Sequence, residues 1–263
     1  MKSRVIVTLM LLMLVVTLQS VFLLPAVNAA THTDITVAKA YDMIYSTDYP
    51  NLLVMDVRAA TSPPEGTPNF NDEHILGAIN VPVLPPPPFD FAALNAWISS
   101  PEGQSHKNHE IIVYCPMEGC PRSNMASNIL DANGFTKVYD MLGGYLAWTV
   151  AGYPIIHVTA AVDITPETLN LKSNGKWVTC YIELPTPNSV NDIVVSTIKL
   201  CGSVSAASKP TQIARARAMV KFDRTAVQGL LGIGEKRLWI TFEVGTGAAR
   251  KLCGGWDSIM VIG

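Results

Sequence analysis

Cys115 directly follows the apolar run Ile111 to Tyr114, and a segment with helical spacing begins near Arg122 and runs to about Ala132. A strand that ends at a cysteine, then a short loop, then a helix start, is an arrangement suited to nucleophilic chemistry. The helix start offers backbone N–H groups without intrahelical partners and the positive end of the aligned peptide dipoles, and both stabilise a thiolate over a thiol. Cys115 is therefore the candidate nucleophile. Pro116, Met117, Glu118, Gly119, Cys120 and Pro121 form the candidate substrate-binding loop. Arg122, in the first helical turn, is the candidate cation of the site. Glu118 repels a negative donor unless it points away, and Pro116 and Pro121 each remove an amide donor. Cys120 adds a second thiol. In an oxidising compartment it can close a small disulfide with Cys115.

The elements that must position Cys115 alternate between helix and strand. A short helix is expected around Thr36 to Ile44, then a strand at Leu52 to Val57 whose continuous apolar run suits burial on both faces. A second strand is expected at Ala78 to Val83, followed by the polyproline stretch Pro85 to Pro88, which cannot join a sheet ladder, and a helix over Phe89 to Ile98. Asn133-Gly134 closes the helix that starts at Arg122, Val138 to Met141 reads as a strand, and Tyr145 to Val150 as a last helix. Strands separated by helices imply parallel pairing under helical cover.

Beyond about Ala160 the pattern changes. Ser173-Asn174-Gly175-Lys176 reads as a hairpin turn, and strands are expected at Trp177 to Leu184, Val194 to Leu200, Met219 to Phe222, Leu238 to Val244 and Ser258 to Ile262, with one helix at Thr225 to Leu231. Several short strands over about 100 residues suit a β-sandwich. The expected organisation is a signal segment over 1–30, an α/β domain over 31–158 and an all-β sandwich over 159–263. Trp177, Trp239 and Trp256 are expected to fill the sandwich core, with Cys180 facing it in register with Val178 and Ile182.

Several motifs spread over residues 35–158 resemble the rhodanese family. Leu53-Val54-Met55-Asp56-Val57-Arg58 resembles its strand ending in Asp-x-Arg, and Glu73-His74-Ile75-Leu76-Gly77-Ala78-Ile79-Asn80-Val81-Pro82 its His-Ile-x-Gly-Ala-x-Asn-x-Pro segment. Val113-Tyr114-Cys115 with Arg122-Ser123 resembles the active-site strand and loop. Gly134-Phe135, Val138, Gly143-Gly144 and Ala147-Trp148 with Gly152-Tyr153-Pro154 are similar to the closing region. The resemblance implies an α/β domain with a parallel sheet and a two-step sulfur transfer. The cysteine takes a sulfane sulfur from a donor such as thiosulfate or a persulfide, then passes it to cyanide or a thiol. It implies that Arg122 holds the anionic donor and stabilises charge on the sulfur, that Cys120 can resolve a persulfide on Cys115, and that Asp56, Arg58 and His74 have structural roles; no cofactor is expected, and the scattered cysteines without a paired ligand motif suggest no metal site. The loop between Cys115 and Arg122 is longer than is usual in the family. From Val162, the segment Asp163-Ile164-x-Pro166-x-Thr168-Leu169-Asn170-Leu171 resembles β-sandwich modules of prokaryotic cell-surface proteins, which implies a binding, spacing or docking role and a cell-surface partner.

Residues 1–30 carry Lys2 and Arg4, a greasy run from Val5 to Leu18, Pro25 and the small-residue stretch Val27-Asn28-Ala29-Ala30. That order predicts an export signal, with an uncleaved membrane anchor as the alternative. The formal net charge is -2. Losing Lys2 and Arg4 leaves 17 basic against 21 acidic residues, so no basic surface for nucleic acid is expected. Five cysteines in an exported chain leave at least one thiol free, reactive or bonded to another chain. His106-x-x-His109-Glu110 reads as a solvated loop, and there is no phosphate-binding or dinucleotide glycine motif. Two other classes of function stay open at this point: an inactive scaffold in a surface-binding protein, and a Cys115/Cys120 thiol-disulfide protein.

Overall fold

Apolar runs without alternation become strands buried on both faces, and two such runs, Leu53–Asp56 and Ile111–Tyr114, lie side by side within the five-stranded sheet that carries Cys115. The structure is a computed structural model that describes residues 32–61, 68–208, 212–214 and 216–263. The expected signal segment lies outside the described residues. Among those residues no helix is long and apolar enough to cross a membrane.

The first half contains β1 (Thr33–Ile35), α1 (Val37–Ile44), β2 (Leu53–Asp56), β3 (Ala78–Asn80), α2 (Ala92–Ser99), α3 (Pro101–Ser105), β4 (Ile111–Tyr114), α4 (Arg122–Ala132), β5 (Val138–Met141) and α5 (Gly144–Val150). The strands form one parallel sheet in the order β1-β5-β4-β2-β3, so β4 is central. Successive residues of a strand face opposite sides, and the core divides accordingly. Leu53, Met55, Ile111 and Val113 pack with Leu94, Trp97 and Ile98 of α2 and Ala126 and Leu130 of α4. Val54, Ile112 and Tyr114 pack on the other side with Ala40, Met43 and Ile44 of α1 and Tyr145 and Trp148 of α5. Helical cover on both faces explains why the runs read as continuous rather than alternating.

The second half contains β6 (Val158–Thr159), β7 (Ala161–Thr165), β8 (Thr168–Asn170), β9 (Trp177–Glu183), β10 (Lys199–Leu200), β11 (Val204–Ser205), β12 (Gln212–Ala214), β13 (Arg217–Asp223), α6 (Arg224–Gln228), β14 (Gly234–Val244) and β15 (Lys251–Ile262). One sheet runs β11-β10-β14-β15-β6, with β8 also on β15, and a second runs β12-β13-β9-β7. Val178, Cys180 and Ile182 from one sheet and Leu238, Ile240 and Phe242 from the other bury into a single apolar cluster. All three tryptophans depart from expectation: Trp177 stands on the face of β9 opposite Val178, Cys180 and Ile182, with Lys176 over its ring. Trp239 packs into the core of the first half, edge-on to Tyr45 at 4.8 Å, and Trp256 stays 36 % exposed, lying over Arg237. Both stand at registers of β14 and β15 that face the α/β half. Val194 to Leu200 departs too, forming a 3-10 turn over Val195–Thr197 before a two-residue strand.

The two halves interlock in one compact unit. Arg237 N–H donates to Thr47 O at 3.0 Å, and the Arg237 guanidinium to Leu52 O at 3.1 Å. His74 forms a backbone bridge with Ile156, and its ring contacts Phe70 O at 3.0 Å and Thr159 Oγ1 at 2.7 Å. Burial dominates its titration and holds the imidazole below its ordinary value of 6.5. A proton taken up by the unfolded chain and refused by the folded one lowers stability as pH falls. The contribution of His74 is therefore intact above about 6.5 and declines below it, towards the depressed folded value. Chemical unfolding at pH 7 and pH 5 should show a steeper loss in the native protein than in His74→Gln. Equal slopes would show that another group carries the dependence.

Candidate active site

β4 delivers the chain to Cys115 at the carboxyl ends of the parallel strands, where crevices in α/β sheets form. The loop must then reach α4, and its carbonyl groups fix its path. Tyr145 N–H donates to Cys115 O at 2.8 Å and Leu146 N–H to Pro116 O at 2.9 Å, so the start of α5 is satisfied by the loop itself. Gly144 permits this approach. Its φ is +59°, and a Cβ there would lie 2.3 Å from the Cys115 carbonyl oxygen. Cys120 N–H closes a turn on Met117 O at 3.2 Å. Gly144→Ala combines a left-handed backbone with a clash against main chain. We expect a stability loss of about 1–3 kcal/mol and a drop in turnover on the order of tenfold to a hundredfold from the displaced loop. Denaturant unfolding and turnover measured on the same preparation would check both, and wild-type values for both would exclude the role given to Gly144.

The structure brings two sulfurs together. Cys115 and Cys120 line the same cavity, and the Cys115 thiol donates to Cys120 O at 3.4 Å. Ser123, in the first turn of α4, donates its hydroxyl to Cys115 Sγ at 3.3 Å. Arg122 takes a different course. Its Nε donates to Cys120 Sγ at 3.3 Å and its Nη1 to Val83 O at 2.8 Å. The guanidinium thus serves Cys120. Donating towards Cys120 and being buried push the Cys115 thiol up, against the Ser123 hydrogen bonds. Accepting the hydrogen bond from Cys115, together with the Arg122 contacts, holds Cys120 below the usual thiol range although its partial burial opposes this.

A cavity of about 150 Å³ opens over the sulfurs, lined by Cys115, Met117, Glu118, Gly119, Cys120, Ser123 and Asp140 and by the turn from Met141 to Gly144. A neighbouring hollow touches Pro116 as well. Pro121 precedes α4, and its carbonyl accepts from Met125 N–H at 2.9 Å. Ser123 and Asp140 escaped the sequence reading. Ser123 carries a signal, a hydroxyl one residue into the helix after the loop. Asp140 carries none, because it reaches the site from the neighbouring strand β5. Asp140 is buried, and burial is the main cause that raises its carboxyl above the ordinary range.

Asp56 and Arg58 lie away from the sulfurs. Arg58 Nε and Nη2 clasp the Asp56 carboxylate at 2.7 to 3.1 Å, both side chains are fully buried, and the guanidinium reaches Pro68 O at 2.8 Å and Glu73 O at 2.7 Å. It also lies over the Tyr145 ring at 3.8 Å. All five cysteines are free thiols, and Cys180 and Cys253 are buried in the second half.

With this geometry in hand, comparison with known proteins is informative. The family model for the rhodanese-like domain matches residues 36–151. Thiosulfate sulfurtransferase 16, chloroplastic, of Arabidopsis thaliana is 34 % identical over 85 residues, which is 32 % of this chain and 69 % of the plant protein. Among solved structures, the rhodanese-like domain of the Alr3790 protein from Anabaena sp. is similar at 29 % identity. That match covers 40 % of this chain and 87 % of the domain, with a TM-score of 0.30. A longer portion of the Alr3790 protein matches at 24 % identity over 46 % of this chain and 78 % of its own, with a TM-score of 0.34.

Proposed function

The chain belongs to the rhodanese-like domain family, and on that premise we propose that it is a sulfurtransferase carrying sulfane sulfur as a persulfide on Cys115. The observation that supports this most is the Cys115 sulfur at the end of the central strand, on the wall of a small cavity it shares with a second thiol. The donor is a small sulfane compound, thiosulfate or a persulfide, and the acceptor is cyanide or a thiol. Cys115 passes its proton to Cys120 and attacks the sulfane sulfur, and the donor leaves as sulfite or a thiol. The acceptor then attacks the outer sulfur, and the Cys115 thiolate leaves. Ser123 stabilises the charged sulfur at each stage. Reduced protein mixed with thiosulfate or glutathione persulfide, with cyanide as acceptor, should form thiocyanate. No thiocyanate above the no-enzyme rate from either donor would overturn the reading.

The reading extends to the rest of the chain. Residues 1–30 act as an export signal, testable by N-terminal sequencing of mature protein, and an intact Met1 on membrane-bound material would make them an anchor. The two sheets of the second half form a β-sandwich that docks the enzyme to a cell-surface partner, a role supported by the resemblance of the segment from Val162.

A further inference from the structure

We propose that Cys120 is a resolving thiolate, so that this protein also reduces low-molecular-weight hydropersulfides, releasing sulfide and closing a Cys115–Cys120 disulfide. This rests on the persulfide reading of Cys115 and adds a second activity to it. The geometry comes first. Both side chains line one cavity, Cys115 Sγ lies 3.4 Å from the Cys120 carbonyl oxygen, and Arg122 and Ser123 divide between the two thiols, Arg122 on Cys120 at 3.3 Å and Ser123 on Cys115 at 3.3 Å. Once Cys115 carries a second sulfur, its inner sulfur stays beside the Cys120 thiolate. A thiolate in contact with a persulfide attacks it, and attack on the inner sulfur makes a disulfide. The loop tip is built for the closing movement. Gly119 has a φ of +78° with open space around it, and Cys120 is only partly buried.

The step balances without an outside oxidant. Cys120 thiolate attacks the inner sulfur of Cys115–S–SH, the Cys115–Cys120 bond forms, the bond to the outer sulfur breaks, and that sulfur departs as hydrosulfide. The outer sulfur, which arrived as sulfane sulfur from the donor, is the oxidant and gains two electrons. The two cysteine sulfurs lose one electron each. A thiol reductant such as glutathione then restores the pair.

The cavity also selects the donor. Its charged lining residues are Glu118 and Asp140, both acidic, while the Arg122 guanidinium engages Cys120 and Val83 O. A doubly charged donor such as thiosulfate meets repulsion there. A hydropersulfide, neutral or singly charged, meets less. Cys120 fits the resolving role, since the hydrogen bonds from Cys115 and Arg122 hold its thiol below the usual range.

The experiment uses reduced, full-length protein mixed without oxygen with glutathione persulfide, followed by sulfide measurement, intact mass and peptide mapping. Wild type should release about one sulfide per chain and become two hydrogens lighter, with Cys115 linked to Cys120. Cys120→Ser should keep a species one sulfur atom heavier on Cys115 and lose at least about tenfold of the sulfide burst. Cys201→Ser, which alters a thiol remote from the loop, should leave the burst unchanged. Thiosulfate in place of the persulfide should react at least about tenfold more slowly. Wild type that accumulates the heavier species without sulfide would overturn the resolving step and leave the persulfide reading intact. No heavier species in Cys120→Ser and no sulfide from wild type would overturn the persulfide reading itself.

Discussion

Cys115→Ser is expected to abolish sulfane transfer, with thiocyanate formation falling on the order of a thousandfold or more, while the unfolding midpoint barely moves. The chemistry sets the size of the loss. A hydroxyl is far less acidic than a thiol and does not hold a transferable sulfane sulfur, so the covalent route is removed rather than slowed. The stability side follows from the site. Cys115 is 2 % exposed, but it sits between Ser123 Oγ at 3.3 Å and Cys120 O at 3.4 Å, which are a donor and an acceptor that a serine hydroxyl can also use. Thermal unfolding and a cyanide-coupled assay on one preparation separate the two effects. Retained transfer in Cys115→Ser would move the sulfur carrier to Cys120, and a collapsed midpoint would show that the thiol is needed for packing.

The part of the site that was legible in the sequence is the part fixed by local signals. An apolar run of strand length ending at Cys115 becomes β4 with the expected bounds, and the Asn133-Gly134 stop ends α4 where it should. The direction of Arg122 was not legible. Its guanidinium is drawn to Val83 O, a carbonyl from a segment 39 residues upstream that only the packed fold brings behind the loop. Part of what holds the Cys120 thiol low depends on that turn, and Asp140, which arrives from an adjacent strand, was no more legible. In the second half, long ladders such as β9 and β13 carry clear alternation and were expected, β9 nearly with its bounds and β13 shorter than it is. Two-residue pieces such as β6 and β10 have no local signal. They count as strands because β15 and β14 offer them a ladder.

Asp56→Ala is expected to lower folding stability by about 3–5 kcal/mol, the cost of stranding a buried charge. That is a large part of the roughly 5–15 kcal/mol that holds a domain together. The carboxylate meets three Arg58 contacts between 2.7 and 3.1 Å and also accepts Arg58 N–H at 2.8 Å, which shapes the turn after β2. Without it the guanidinium stays fully buried between Pro68 O, Glu73 O and the Tyr145 ring, neutralised by none of them. Denaturant unfolding should show the loss at unchanged slope. The double variant Asp56→Ala/Arg58→Ala should lose less than the sum of the singles, because it removes the stranded charge as well. Additive losses would mean that the two side chains act independently. The damage should also reach the sulfurs. Arg58 lies against Tyr145, whose hydroxyl donates to Glu73 and whose backbone N–H holds the Cys115 carbonyl. A loosened Arg58 therefore releases the same loop that Gly144 allows to close, and turnover in Asp56→Ala should fall further than the folded fraction alone requires.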